Sequence, residues 1–151
     1  MRSTLALSTV LVLTLAGLAI VPETADATVP GAVGRIVFVS DRDHAYGEIY
    51  TRDFSGGAWT RLTSDSATDT APAWSPDGSQ SAYTSDAAGS RDIWVMNTDG
   101  SGKQNLTSDA FLNEDPDWSP DGDRIVYNRQ KSSSFDWDVW VMRADGSGKT
   151  N

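Results

Sequence analysis

Cysteine is absent from the 151 residues, histidine occurs once (His44), and Lys and Arg number 12 against 21 Asp and Glu. The first absence excludes a disulfide framework, a thiolate zinc centre and a cysteine nucleophile. A single histidine excludes a histidine-cluster metal centre and leaves little general-base capacity. The shortage of basic residues, with a formal net charge of −9, argues against nucleic acid, because phosphate binding needs clustered Lys and Arg. A chain of this length holds one domain, or part of one.

The first residues read as an address. Arg2 precedes an apolar run, Leu5 to Val21, which Pro22 breaks, and Ala25-Asp-Ala27 places small residues at −3 and −1 of a cleavage site. That order is the pattern of a secretory signal peptide over 1–27, with Thr28 as the mature N-terminus and 28–33 as a linker. The alternative is an uncleaved anchor, since the run approaches the length of a short span. After cleavage no stable membrane span is expected.

The remainder is repetitive. Trp74-Ser-Pro-Asp-Gly78 returns as Trp118-Ser-Pro-Asp-Gly122. Asp92-Ile-Trp-Val-Met-Asn-Thr-Asp-Gly-Ser-Gly-Lys103 returns as Asp138-Val-Trp-Val-Met-Arg-Ala-Asp-Gly-Ser-Gly-Lys149. A more diverged copy starts at Arg35-Ile-Val-Phe-Val-Ser40 and runs through Ile49-Tyr50 to Leu62-Thr63, the counterpart of Leu106-Thr107. Each unit reads as four short strands; in the middle copy they are 72–75, 80–85, 92–97 and 103–107. Ser75-Pro-Asp-Gly78 is turn chemistry: Pro presets φ, Asp bonds its own backbone and Gly takes the left-handed position. Asp99-Gly-Ser-Gly102 closes the last hairpin. Ile93-Trp94-Val95-Met96 is apolar on both faces, so the sheet must be covered on both. Stacked four-stranded units at this period specify a β-propeller, with blades over about 34–66, 67–110 and 111–151.

The repeated pattern Pro-x-Trp-Ser-Pro-Asp-Gly, then Ile-Val-Tyr, then Asp-Ile-Trp-Val-Met-Asn-x-Asp-Gly-Ser, then Asn-Leu-Thr resembles the WD40-like (PD40) repeat of the TolB-type six-bladed propeller. The resemblance covers about 34–151. The first copy departs from it, with Asp53-Phe-Ser-Gly-Gly57 for the last hairpin and Thr51-Arg52 for Val-Met, and Ser81 replaces the isoleucine of the other copies. About three blades are present and the third stops before its outer strand, so the expectation is an all-β, N-terminal part of a longer propeller. The resemblance implies an exported, non-enzymatic scaffold that binds a protein or peptide at the cell envelope, periplasmic or extracellular. The same repeat resembles the N-terminal propeller of prolyl-oligopeptidase-type serine peptidases, whose catalytic domain would follow residue 151. A propeller enzyme acting on sugars or lactones is a third possibility.

Motifs that suggest chemistry resolve into turns. Gly146-Ser-Gly-Lys-Thr150 has the end of a phosphate-binding loop, but Arg143 stands where that loop needs glycine. Asp41-x-Asp43 opens like a calcium loop, yet Ala45 and Gly47 break the ligand spacing. No Gly-x-Ser-x-Gly elbow accompanies His44. No catalytic residue, metal or cofactor is therefore assigned, and nothing indicates a specific oligomer. The structural motif is Trp74, Ser75, Pro76, Asp77, Gly78 and Trp118, Ser119, Pro120, Asp121, Gly122, in hairpins that emerge together on one face. The connections on the other face, 41–47, 64–71, 86–91, 108–115 and 130–137, differ in every copy. Variable loops on a rigid scaffold carry binding. The candidate binding residues are Asp41, Arg42, Asp43, His44, Tyr46, Asp65, Asp69, Asp109, Phe111, Glu114 and Trp137. If residues 1–27 are a signal peptide, N-terminal sequencing of exported protein will begin at Thr28; an exported chain retaining Leu5–Val21 would contradict it.

Overall fold

The computed structural model describes residues 34–43, 45–130 and 136–151; the expected signal peptide, the linker, His44 and 131–135 lie outside the described residues. The described chain is all β, in three antiparallel sheets. The middle sheet has four strands in sequential order: β4 (Asp69–Trp74), β5 (Gln80–Ser85), β6 (Asp92–Asn97) and β7 (Gln104–Asn105). The first contains β1 (Arg35–Ser40), β2 (Glu48–Asp53) and β3 (Thr60–Arg61), the counterparts of β5 to β7. The third contains β8 (Asn113–Trp118), β9 (Arg124–Gln130) and β10 (Trp137–Arg143), with its fourth position marked by a Val141–Thr150 bridge.

Two apolar clusters fill the seams. Val37, Ile49 and Leu62 of the first sheet pack on Trp74, Tyr83, Trp94 and Met96 of the second. Ala82, Ile93, Val95 and Leu106 on the opposite face of the second sheet pack on Ile125, Tyr127, Trp140 and Met142 of the third. The middle strands are thus apolar on both faces because both faces are covered. Aliphatic side chains of one blade meet aromatics and methionine of the next. Trp118 also donates its indole N–H to the Ala73 carbonyl at 3.2 Å.

The hairpins follow from the turn residues. Ser75 Oγ donates to Asp77 Oδ1 at 2.6 Å, and Asp77 Oδ1 accepts from the Ser79 backbone N–H at 3.0 Å. Ser119 donates to Asp121 in the same manner, and the Asp123 N–H closes the turn at 3.0 Å. These hydroxyl and amide donors hold Asp77 and Asp121 below the usual carboxylate range. Ser81, at the position of Ile36 and Ile125, is fully buried and turns its hydroxyl to the Ala82 carbonyl.

Two boundaries differ from the sequence expectation. The innermost strand of the middle blade begins at Asp69, three residues before Pro72, and the outer strand is only Gln104–Asn105. A bulge conceals the start: Ala71 adopts φ +48° and the ladder shifts register between Thr70 and Ala73. Asp115 repeats it at φ +54°, with a shift between Glu114 and Asp117. Each positive-φ residue precedes a proline, which has no N–H for the ladder. The period-2 pattern is broken there, and the strand resumes beyond it.

The Asp-Gly-Ser-Gly hairpin is where one blade meets its neighbour's backbone. Gly100 sits at φ +85°, and a Cβ there would lie 2.7 Å from the Leu62 carbonyl oxygen. Gly89 has a similar φ of +97° with open space around it. Gly89→Ala is expected to cost about 1–2 kcal/mol from the left-handed backbone alone. Gly100→Ala adds a clash with a neighbouring main chain, worth about 1–3 kcal/mol more. Denaturant melts of the two variants separate these contributions.

Candidate functional site

Three groupings combine charge, aromatic surface and burial, two at the loop end of the blades and one on the outer flank of the first blade. The first lies inside the seams. In the second blade, Asp92 is buried and its carboxylate accepts from Thr107 Oγ1 at 2.9 Å and Asn105 Nδ2 at 2.9 Å. Thr107 Oγ1 in turn accepts the Ile93 N–H at 2.8 Å. Asn113, the first residue of the third blade, directs Nδ2 to Asp109 Oδ1 at 3.1 Å and the Phe111 carbonyl at 3.1 Å, with Asp92 Oδ1 at 3.5 Å. The seam between the first two blades repeats this frame with substitutions. Glu48, buried, accepts from Thr63 Oγ1 at 2.6 Å and Arg61 Nη2 at 2.5 Å, and Thr63 accepts the Ile49 N–H at 2.9 Å. Arg61 replaces Asn105, and Asp69 replaces Asn113.

The second grouping is on the first blade. The Arg42 guanidinium lies 4.2 Å from the Trp59 ring centroid and 4.9 Å from that of Tyr50. Phe38 packs edge-on to Trp59 at 5.0 Å, and Arg52 covers Trp59 at 4.4 Å. The Tyr50 hydroxyl donates to Asp43 Oδ2 at 2.5 Å; burial foremost, and then this bond, raise its pKa. Phe38, Tyr50 and Arg52 alternate with Val37, Ile49 and Thr51, so the stack faces away from the second blade. The third grouping spans the second and third blades. Arg129 pairs with Asp109 at 3.2 Å while its guanidinium lies 4.2 Å from Phe111 and 4.4 Å from Trp140. Beside it Arg91 pairs with Glu114 at 2.5 Å.

The structure therefore brings Arg42 and Asp43 together, and Asp109 with Phe111, while the remaining candidates are dispersed. Tyr46 and Asp41 are exposed. Asp65 caps its own loop by accepting the Ala67 N–H at 2.9 Å. Trp137 is exposed but opens β10, and Glu114 is in β8. Asp69 is buried, within a strand and not on a loop, so it is unavailable to a partner at the surface. His44 lies outside the described residues. Sequence reasoning missed Phe38, Arg52, Arg91 and Arg129. The first two lie in strands of the least regular copy, and Arg129 belongs to β9, one residue before its end.

The opposite face carries structure. A groove of about 320 Å³ between the second and third blades is bordered by Pro76, Asp77, Trp118, Gly122 and Ala144, the repeated turns themselves. Gly146–Thr150 is a hairpin: Arg143 N–H donates to the Ser147 carbonyl at 2.8 Å and Lys149 Nζ to the Gly146 carbonyl at 2.6 Å. Among the described residues no group of three or more Asp, Glu or His is arranged to hold a metal ion. No helix among them is long and apolar enough to cross a membrane.

The chain matches the family described as TolB beta propeller domain over residues 22–150. It is 40% identical over 62 residues to the Protein TolB homolog of Chlorobium luteolum, covering 41% of this chain and 14% of that one. It is 40% identical over 63 residues to the Tol-Pal system protein TolB of Desulfosudis oleivorans, covering 42% and 14%. Among solved structures it is similar to a TolB from Agrobacterium tumefaciens, with a TM-score of 0.72 and 29% identity over 78% of this chain and 44% of that one. The matched stretch is thus about one seventh of the length of these curated relatives.

Proposed function

This chain belongs to the TolB β-propeller family, and on that premise we propose that it is an exported, non-enzymatic scaffold that binds a protein or peptide at the cell envelope through its variable-loop face. The observation that carries the reading is the contrast between the two faces. The hairpin face is built from near-identical turns whose polar groups are spent on each other. The loop face differs from blade to blade and displays Arg, Trp, Tyr and Phe, the side chains that dominate interface hot spots. There the Arg129 guanidinium lies over Phe111, which presents flat, pre-positioned surface of the kind that contributes affinity at little cost in side-chain freedom. The relatives' membership of a Tol-Pal system supports a protein partner and an envelope location.

The binding set on this reading is Arg42, Asp43, Tyr46, Phe111 and Trp137, with Asp41, Asp65, Asp109 and Glu114 at its rim. Asp69, buried in β4, is not part of that set.

The test is to compare capture and stability in the same variants. Arg42→Ala, Tyr46→Ala and Trp137→Ala are expected to weaken capture of a partner from a bacterial envelope extract, while their melts stay within about 1 kcal/mol of the parent, as for surface changes. Asp121→Ala on the hairpin face is expected to lower the melt and leave capture intact in the folded fraction. Loss of capture in the hairpin variant alone would reverse the assignment of the faces.

A further inference from the structure

The two seams use one hydrogen-bond frame, and the single exchange of Asn113 for Asp69 changes its proton count. Around Asn113 Nδ2 the frame supplies acceptors only: Asp109, the Phe111 carbonyl and Asp92. By the repeat the counterparts at Asp69 are Asp65, the Ala67 carbonyl and Glu48, and Asp65 and Glu48 lie near enough to act on its charge. The match extends to the main chain. Asp69 N–H donates to the Gly47 carbonyl at 2.9 Å as Asn113 N–H does to Arg91, and Asp65 holds the Ala67 N–H as Asp109 holds that of Phe111. Asp69 is 1% exposed, and neither of its carboxylate oxygens has a hydrogen-bond partner. An ionised carboxylate there would be desolvated and beside the carboxylates of Asp65 and Glu48, with only the hydroxyls of Ser85 and Thr63 near it, and the Thr63 proton already goes to Glu48. A carboxylic acid, by contrast, has an O–H to place where Asn113 places its N–H.

We propose that Asp69 carries a proton in the folded protein at neutral pH and uses it as a hydrogen-bond donor in the seam between the first two blades, so that this seam and the 64–68 loop above it respond to pH.

The surrounding groups agree. From β2 and β3, Glu48 already has two donors, Arg61 and Thr63, and is satisfied as a carboxylate. From the preceding loop, Asp65 adds negative charge. From β5 come Ser85 and Tyr83, the latter buried and with its own pKa pushed up chiefly by that burial. Asp86, just beyond β5, is committed to the Thr68 N–H at 2.7 Å. From β8, Glu114 is paired with Arg91 and Asp115 accepts from Asn128. From β1, Arg35 is paired with Asp53. Burial raises the Asp69 pKa, and Asp65 and Glu48 raise it further against the hydroxyls of Ser85 and Thr63.

A carboxyl with a folded pKa above its unfolded one contributes stability fully present below the unfolded pKa and lost as pH rises through the folded pKa. The test is Asp69→Asn, which installs the residue that the next seam already uses. The ratio of folding equilibrium constants, Asp69→Asn over parent, is expected to rise with pH by up to tenfold per unit across that window and then level off, because all other carboxylates cancel. The reciprocal Asn113→Asp is expected to introduce the same loss into the second seam. Infrared difference spectra at pH 7 are expected to show a protonated carboxylic acid in the parent that Asp69→Asn lacks. A pH-independent ratio, an Asn113→Asp variant with the parent's pH profile, or the absence of that infrared band would each overturn the proposal.

Discussion

One buried hydrogen bond, from a threonine hydroxyl to a carboxylate, fixes the outer end of a blade to the rest of its own sheet. Thr107 to Asp92 and Thr63 to Glu48 are the two instances, each tying the outer end of a blade to its third strand. The carboxylates are buried, and a buried carboxylate deprived of donors costs several kcal/mol. The threonine answers that cost and at the same time accepts the N–H of Ile93 or Ile49. Much else follows from this constraint. The outer strand needs only two ladder residues because Leu-Thr locks it, and the leucine that precedes the threonine reaches the next blade, where Gly100 and Gly146 make room for its backbone.

Each blade is therefore closed at its outer end by polar bonds and stacked on its neighbour by apolar contact. The aliphatic-on-aromatic seams supply most of the driving force. Across the second seam the blades are also joined by polar links, Asn113 Nδ2 to Asp92 Oδ1 at 3.5 Å and the Trp118 indole N–H to the Ala73 carbonyl at 3.2 Å. This division leaves the connections on the loop face free to vary. Arg42 over Trp59 and Arg129 over Phe111 can differ in kind without disturbing the seams.

The repeat made the architecture readable. Recurrence of Trp-Ser-Pro-Asp-Gly and Asp-Gly-Ser-Gly places the hairpins, and the doubly apolar Ile93–Met96 segment indicates sheets covered on both sides; β5 and β6 match the expected bounds. Asp69–Ala71 was not readable as strand, because a left-handed residue before a proline breaks the alternation that marks one. Nor was the role of Thr63 and Thr107, although their recurrence was visible: a buried threonine and an exposed one look alike in sequence. The binding candidates were chosen by loop position, which finds Arg42, Asp43 and Phe111 but cannot find Arg129 or Arg52, which reach the surface from strands. It also includes Asp69, whose carboxyl the fold buries.

The most direct test of the account is the unfolding free energy of Thr107→Val beside Thr107→Ser. Valine preserves shape and removes both the donor to Asp92 and the acceptor for Ile93. The account predicts a loss of about 3 kcal/mol for valine, since buried Asp92 Oδ1 loses its close donor and the Ile93 N–H is left unpaired in the interior. For serine, which keeps the hydroxyl, it predicts a loss of about 1 kcal/mol. A valine variant as stable as the serine variant would mean that apolar packing alone holds the outer end of the blade, contradicting the account.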